Sequence, residues 1–254
     1  MTHASDGGQP DNPDAAGIEP AASDVPAGAG AAANAGHDPL TERVVESRVL
    51  HRGRYLEFRS LTVERADGSR ATRDIVGHPG AVAIVALDDD GRVLLVRQFR
   101  VAAEQALLEI PAGTLDVDAA TGTVEDPDLA AARELEEETG YRAGRLERLG
   151  AFWTAPGFAT ERMTLYLATD LRPADGDRLG PDEDEHLELS RLPWREAVAA
   201  AERGEIGDAK SIVGLFWLAR RQERRESGDT SSAGAGEPVV YSPAEGPSRS
   251  SAPR

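Results

Sequence analysis

Three glutamates crowd one side of a short predicted helix near the middle of the chain. Glu134 and Glu138 are four residues apart, so on a helix they stand one above the other, and Glu137 lies beside them. Asp126-Pro127 is a typical helix start, because aspartate caps helices and proline suits the first helical position. Gly140 is a typical helix stop. The pattern therefore predicts one capped helix with a stacked acidic side.

Such a helix has an electrostatic cost. Like charges at this spacing destabilise an isolated helix by about a few tenths of a kcal/mol, and these lie in the half of the helix where the dipole disfavours anions. A hard divalent cation, which takes carboxylate oxygens, would offset the cost. The alternative is an acidic face exposed to water, and the glutamates alone leave both interpretations open. We expect the inward face to comprise Leu129, Ala132 and Leu135.

The surrounding sequence favours the metal-binding interpretation. Residues 107–113 read Leu-Leu-Glu-Ile-Pro-Ala-Gly, and residues 133–141 read Arg-Glu-Leu-Glu-Glu-Glu-Thr-Gly-Tyr. The second stretch resembles the core of the Nudix box, Arg-Glu-apolar-x-Glu-Glu-x-Gly-apolar, at every specified position. Glu125 falls at the family's spacing before the arginine. Gly113 and Glu125 are further apart than in the family, and we interpret residues 118–123 as a longer loop.

Features outside the box resemble the ADP-ribose pyrophosphatase branch of that family. Residues 97–100, Arg-Gln-Phe-Arg, precede the box as they do in the branch, and Pro156 stands sixteen residues after Gly140. Residues 73–76 and 204–211 are similar to the branch's early strand and to the entry of its last helix. The resemblance covers about residues 41–222.

This resemblance implies a fold and an activity. The fold is α/β, a mixed β-sheet sandwiched between α-helices, with a small N-terminal antiparallel β unit. The activity is Mg²⁺-dependent hydrolysis of ADP-ribose to AMP and ribose 5-phosphate, or of a related nucleoside diphosphate sugar, with Mn²⁺ as a possible substitute. By resemblance, Glu134, Glu138, and the Ala112 carbonyl are metal ligands, and Glu137 takes part in catalysis through water. Arg133 either serves the site or braces the helix against Glu137.

In this branch the general base lies on a late acidic loop, which here is residues 181–186. We expect Glu183 to be the base and Glu185 an additional metal ligand. Asp184 could replace either, and a solvated acidic loop is the alternative for any one of them. Glu161, which follows the Pro156 loop, is a weaker candidate.

Substrate contacts are expected from charge. Arg73 and Arg100 could bind diphosphate or ribose oxygens, since arginine suits forked binding of anions, although each could also be an ordinary surface arginine. Glu109 could accept hydrogen bonds from ribose hydroxyls or adenine amines. For Trp153 and Phe158 we favour packing in the core over stacking on a base.

Composition sets the domain limits and the partners. Residues 1–40 and 226–254 are rich in small and polar side chains and are expected to be disordered tails. Residues 41–77 are expected to be a β unit too small to stand alone, and residues 78–225 the Nudix hydrolase domain. The resemblance implies a homodimer, because members of the branch build their sites with an N-terminal β unit packed or exchanged across a two-fold axis, and the small unit agrees with that. The net charge of −17 argues against nucleic acid as a partner.

Other signals bear on compartment and on rival functions. The absence of cysteine, of a signal peptide and of any apolar run as long as a membrane span predicts a cytoplasmic protein that does not insert into membranes. Two rival functions remain. One is hydrolysis of another nucleoside diphosphate derivative. The other is a non-catalytic nucleotide sensor, which the retained box glutamates argue against.

Overall fold

A computed structural model describes residues 38–174 and 186–228 of the chain. The first part is an antiparallel sheet of three strands, β1 (Glu42–Arg52), β2 (Glu57–Arg65) and β3 (Arg70–Gly77). A tight turn joins β2 to β3, because the Asp67 carboxylate accepts the Ser69 N–H at 2.9 Å and Gly68 adopts a φ of 80°. The predicted N-terminal β unit is confirmed.

The second sheet is mixed and, within the described residues, has seven strands. In spatial order β10 (Glu188–Pro193), β5 (Arg92–Arg100), β4 (Ala81–Leu87), β9 (Arg162–Pro173) and β8 (Tyr141–Trp153) lie side by side. Two shorter strands pair at the side, β6 (Gln105–Glu109) with β5 and β7 (Ala112–Thr114) with β4. Only the pairing of β4 with β9 is parallel among these strands.

Helices cover both faces of this sheet. They are α1 (Pro127–Thr139), α2 (Trp194–Glu202) and α3 (Ala209–Ser227), and a 3-10 turn spans Val101–Ala103. β4 is buried along its whole length, and its side chains alternate between the two faces, so that Ile84 packs on the α1 side and Val85 on the α2–α3 side. Full burial of such a side chain contributes about 1.5–3 kcal/mol. The predicted sandwich is confirmed.

One detail of the prediction was wrong, because Leu129 is 51% exposed. Leu135 is fully buried as expected, and Ala130 and Ala131 complete the buried apolar face of α1. The two alanines have small side chains, which let the helix pack closely on the sheet. β8 begins at Tyr141, directly after the helix stop. None of the helices in the part of the chain that the structure describes is long and apolar enough to cross a membrane.

Candidate active site

Helix α1 begins and ends where its caps require. The Asp126 side chain accepts the Asp128 N–H at 2.8 Å, and Pro127 occupies the first turn. Gly140 adopts a φ of 73° and donates its N–H to the Glu136 carbonyl at 2.8 Å. Both caps match the sequence prediction, so the positions of the acidic side chains along α1 are well defined.

Two of the predicted metal ligands, Glu134 and Glu138, point from α1 to the start of β7. The Glu138 Oε2 atom accepts the Ala112 main-chain N–H at 3.0 Å. The Glu134 carboxylate lies against Gly113, so closely that a Cβ on that glycine would stand 1.9 Å from its carboxyl carbon. Both glutamates are more than nine-tenths buried. The two carboxylates therefore meet the main chain at Ala112–Gly113.

Arg133 is the cation at the centre of the acidic side. Its Nη1 donates to Glu134 Oε1 and Glu137 Oε2, both at 2.8 Å, while Nε and Nη2 bind the carboxylate of Glu125 at 3.2 and 2.9 Å. Burial acts to lower the pKa of Arg133, but these carboxylates outweigh it and raise that pKa well above its ordinary value. Arg133 therefore braces the helix against Glu137, one of the two roles predicted for it.

The main chain that leads into β7 is tied at each step. The Ile110 N–H donates to the Ser211 hydroxyl at 2.9 Å, and the Pro111 carbonyl accepts the Ile84 N–H at 2.8 Å. The next N–H, that of Ala112, is the one bound by Glu138. Three separate elements, α3, β4 and α1, thus hold residues 110–112, and the Ala112 carbonyl belongs to a rigid segment.

Glu109 and Arg100 bind each other. Arg100 Nε and Nη2 donate to the two oxygens of Glu109 at 2.9 and 2.8 Å, and the Lys210 ammonium contacts the same carboxylate. Glu109 is 1% exposed. Burial acts to raise the pKa of Glu109, but the two cations outweigh it and the pKa is lowered. In this structure Glu109 holds Arg100, whose side chain is 41% exposed.

Arg73 lies on β3 of the N-terminal sheet. Its Nε and Nη2 bind the carboxylate of Glu42 at 3.0 and 2.5 Å, and Nη1 donates to the Thr72 carbonyl at 3.0 Å. Its hydrogen bonds with described residues stay within that sheet. Arg73 thus lies on a different sheet from Arg100.

The loop between β8 and β9 joins the two sheets. The Val76 N–H of β3 donates to the Phe158 carbonyl at 2.7 Å, and the Thr160 N–H donates to the Val76 carbonyl at 3.0 Å. The Glu161 carboxylate accepts the Thr154 hydroxyl at 2.5 Å and lies 3.6 Å from the His78 ring. Glu161 therefore links the β8–β9 loop to His78, which follows β3.

Two aromatic side chains next to this junction contradict the prediction that they pack in the core. Trp153, the last residue of β8, is 52% exposed, and Phe158 in the loop is 58% exposed. The prediction failed because a single aromatic residue at a strand end or in a loop carries no periodicity from which burial could be inferred.

A comparison of the sequence with known families agrees with this geometry. The NUDIX domain profile matches residues 77–214, more than half of the chain. This chain belongs to the Nudix family. The match includes every box residue discussed above, so the resemblance noted in the sequence is confirmed and the protein is a Nudix hydrolase.

Individual Nudix proteins with assigned activities are similar over most of their length. The ADP-ribose pyrophosphatase of Bacillus subtilis (strain 168) is 37% identical over 179 residues, which are 70% of this chain and 93% of that protein. The ADP-ribose pyrophosphatase of Mycobacterium tuberculosis (strain ATCC 25618 / H37Rv) is 40% identical over 172 residues, 68% of this chain and 80% of that protein. A solved structure described as an ADP compounds hydrolase shares the fold, with a TM-score of 0.61 at 24% identity over 76% of this chain and 99% of that chain.

Nudix proteins typically use a divalent metal, and the donors at Ala112–Gly113 fit one. Carboxylate and main-chain carbonyl oxygens are the ligands that Mg²⁺ prefers. Glycine at position 113 leaves the space in which the Glu134 carboxylate sits. Within residues 38–174 and 186–228, no three His, Asp or Glu side chains form a group that could hold a metal ion. Glu183 and Glu185, the predicted base and additional ligand, lie outside the described residues, as does Asp184.

Sequence reasoning missed the residues of α3 that support this site. Asp208 caps α3 through the Ser211 N–H at 3.0 Å and accepts the Lys210 ammonium at 2.9 Å. Lys210 and Ser211 then contact Glu109 and Ile110, about a hundred residues earlier in the chain. One signal was visible, because Lys210 is the only lysine in the sequence.

Proposed function

We propose that this Nudix hydrolase cleaves the diphosphate bond of ADP-ribose with Mg²⁺, giving AMP and ribose 5-phosphate. One observation carries the proposal: the buried carboxylates of Glu134 and Glu138 converge on the main chain at Ala112–Gly113. A helix that holds two acidic side chains against a rigid strand suits a cation that binds a diphosphate. The ADP-ribose pyrophosphatases that are 37–40% identical over more than two thirds of this chain support that choice of substrate.

The residues divide the work between charge and positioning. Glu134, Glu138 and the Ala112 carbonyl would hold Mg²⁺, which neutralises phosphate charge and lowers the pKa of bound water when present. Arg100, fixed by Glu109, binds an oxygen of the diphosphate through its guanidinium. Glu137 orients water from its place beside Arg133.

The predicted acidic loop completes the site in this proposal. Glu183 accepts the proton of the attacking water, a contribution of about 10²–10⁴-fold, and Glu185 adds an oxygen for the metal. Replacement of Glu183 by glutamine is therefore expected to lower kcat by at least about 100-fold while KM changes little. A purely solvated loop would leave kcat unchanged.

The same proposal includes a homodimer built on the N-terminal sheet. Three strands alone are marginal, and β1 exposes Val44, Val49 and Leu50. In this proposal a partner covers this sheet and contributes its own Arg73 to the site. Analytical ultracentrifugation of the purified protein tests the dimer, and a monomer at working concentration would refute it.

Product analysis tests the activity. We expect purified protein with Mg²⁺ to convert ADP-ribose to AMP and ribose 5-phosphate, as separated by chromatography, and to stop when the metal is chelated. Glu138→Gln removes one of the convergent carboxylates and should lower kcat by at least about 100-fold. Retained turnover after exhaustive chelation would refute the proposal.

A matched control lies on the same helix. Glu136 is also buried, but its carboxylate binds Arg142 at 2.7 Å on β8. Glu136→Gln should therefore lower stability and leave kcat within about threefold of the wild type. Parallel assays with GDP-mannose and other nucleoside diphosphate sugars establish the substrate range, and a preference of more than tenfold for one of them over ADP-ribose would reassign the substrate within the same chemistry.

A further inference from the structure

Lys210 is the only lysine among the 28 lysine and arginine residues of the chain. The other 27 of these residues are arginines. The single exception is buried, with 8% of its surface exposed, in the first turn of α3. Lysine is seldom buried unless it is paired, so a unique and buried lysine in an arginine-rich chain indicates a specific requirement for an ammonium group.

The ammonium joins two carboxylates that come from distant parts of the chain. Lys210 Nζ contacts Glu109 at the end of β6 and lies 2.9 Å from Asp208 Oδ2. The same oxygen of Asp208 accepts the Ser211 hydroxyl at 2.6 Å, and Ser211 in turn binds the Ile110 N–H. Lys210 therefore fixes Glu109 to the start of α3. The start of α3 also binds Ile110, the residue after Glu109, through Ser211.

The charges of this cluster balance only when Lys210 is present. Arg100 and Lys210 carry two positive charges, and Glu109 and Asp208 carry two negative charges. Without the ammonium, the cluster would carry a net negative charge around the guanidinium that the proposed function assigns to the diphosphate. Among the described residues no acceptor binds Arg100 Nη1, so this nitrogen is available to a ligand.

Arginine does not fit this position. Its planar guanidinium is wider than an ammonium and directs its donors along a rigid fork, whereas lysine presents a compact charge that can meet two carboxylates from different directions. Lys210 is packed in the interior beside Ser211, which is fully buried. A guanidinium there would have to displace Glu109 or leave the interior.

From these observations we propose that Lys210 is a positioning residue for substrate binding, which acts by holding Glu109 and through it the guanidinium of Arg100. This role rests on the proposed function, since it needs a phosphate ligand for Arg100. It also requires lysine itself, because the position needs a compact ammonium and not merely a positive charge.

The test measures KM and kcat for ADP-ribose with Mg²⁺ in the full-length protein. K210M and K210R should each raise KM about 10-fold and change kcat less than about threefold, because loosening Arg100 weakens binding of the diphosphate throughout the reaction. Arg100→Met should raise KM by at least as much. In the Arg100→Met background, K210M should change KM less than about twofold, since Lys210 then has no guanidinium to position.

A matched control exchanges the two residue types at an exposed ion pair. Arg203 binds Glu205 at 2.7 and 2.8 Å on the surface, and R203K should leave KM and kcat unchanged. Thermal unfolding shows whether each variant is folded. If K210M does not fold, Glu109→Gln weakens the same ion pair from the other residue. Glu109→Gln should raise KM in the wild type and change KM less than about twofold in the Arg100→Met background.

Distinct outcomes overturn the two proposals. If the wild type is active and K210R has the same KM and kcat, the positioning role alone is refuted. It is also refuted if the effects of K210M and Arg100→Met on KM are fully additive. Loss of kcat at unchanged KM would also refute it. A folded wild type that hydrolyses no nucleoside diphosphate sugar would refute the proposed function and this role with it.

Discussion

Gly113 is the position at which one added carbon atom should disturb the site most. Its φ lies outside the left-handed region, so alanine can adopt the same backbone conformation. A Cβ there would stand 2.0 Å from Glu134 Oε1 and 2.3 Å from Oε2. Real Cβ atoms do not approach closer than 3.0 Å, so Gly113→Ala requires the Glu134 carboxylate to retreat by about 1 Å.

The magnitude follows from what that carboxylate does. Misplacement of a catalytic group by about 1 Å can lower activity about 100-fold. Overpacking in a close-packed interior costs about 1–3 kcal/mol, and the reduced flexibility of the unfolded chain offsets about 0.4–1 kcal/mol of it. We therefore expect kcat/KM to fall about 100-fold while the free energy of unfolding falls by only about 1–2 kcal/mol.

The assay compares ADP-ribose hydrolysis and urea unfolding in Gly113→Ala and in a control glycine. Gly53, in the turn between β1 and β2, has its nearest atom at 3.5 Å from an added Cβ, so Gly53→Ala should leave both quantities nearly unchanged. Shortening the displaced side chain provides the decisive comparison. In a Glu134→Ala background the added methyl group meets no carboxylate and should cost no stability. If Gly113→Ala keeps full activity, or costs as much stability in that background, the contact with Glu134 is not the cause.

Three further predictions concern charge and assembly. Arg133→Met leaves Glu134 and Glu137 without their shared cation. In the absence of metal, this variant should have a free energy of unfolding about 3 kcal/mol lower than the wild type. Mg²⁺ should raise the melting temperature of the variant more than that of the wild type, and equal increases would contradict this reasoning. The pKa of Glu109 is lowered on folding from an ordinary value of 4.5, so the stability that it contributes is present above that pH and lost as the pH falls below it. Urea unfolding from pH 7 to pH 3 should show this loss and show less of it in Glu109→Gln. Deletion of residues 41–77 should abolish ADP-ribose hydrolysis although the box is intact, and full turnover in that truncation would contradict a site completed by the N-terminal sheet.

Local signals in the sequence were sufficient to predict much of the fold. Both caps of α1 depend on residues within a few positions of one another. The spacing of Glu134 and Glu138 likewise fixes their relation on any helix. Such features are predictable because propensity, capping and periodicity act over short distances in the chain.

The parts that failed depend on packing between distant segments. Leu135 was placed correctly on the buried face of α1, but Leu129 was not, because Ala130 and Ala131 pack on the sheet in its place. The ion pair of Glu109 with Lys210 was not predicted, because nothing near Glu109 in sequence shows that Lys210 will bind it. Ion pairs between residues a hundred positions apart leave no periodic trace in a single sequence.

The long loop before α1 is closed at its base. The Glu125 N–H donates to the Asp116 carbonyl at 2.8 Å, and the Glu125 side chain accepts the Asp116 N–H at 3.2 Å. Beyond that clasp, Val117 bridges Val124 and the Asp118 carboxylate organises the tip on its own. The tip is thus a separable module. A peptide tag or a fluorophore grafted between residues 118 and 123 would report on ligands bound near α1 without altering that helix.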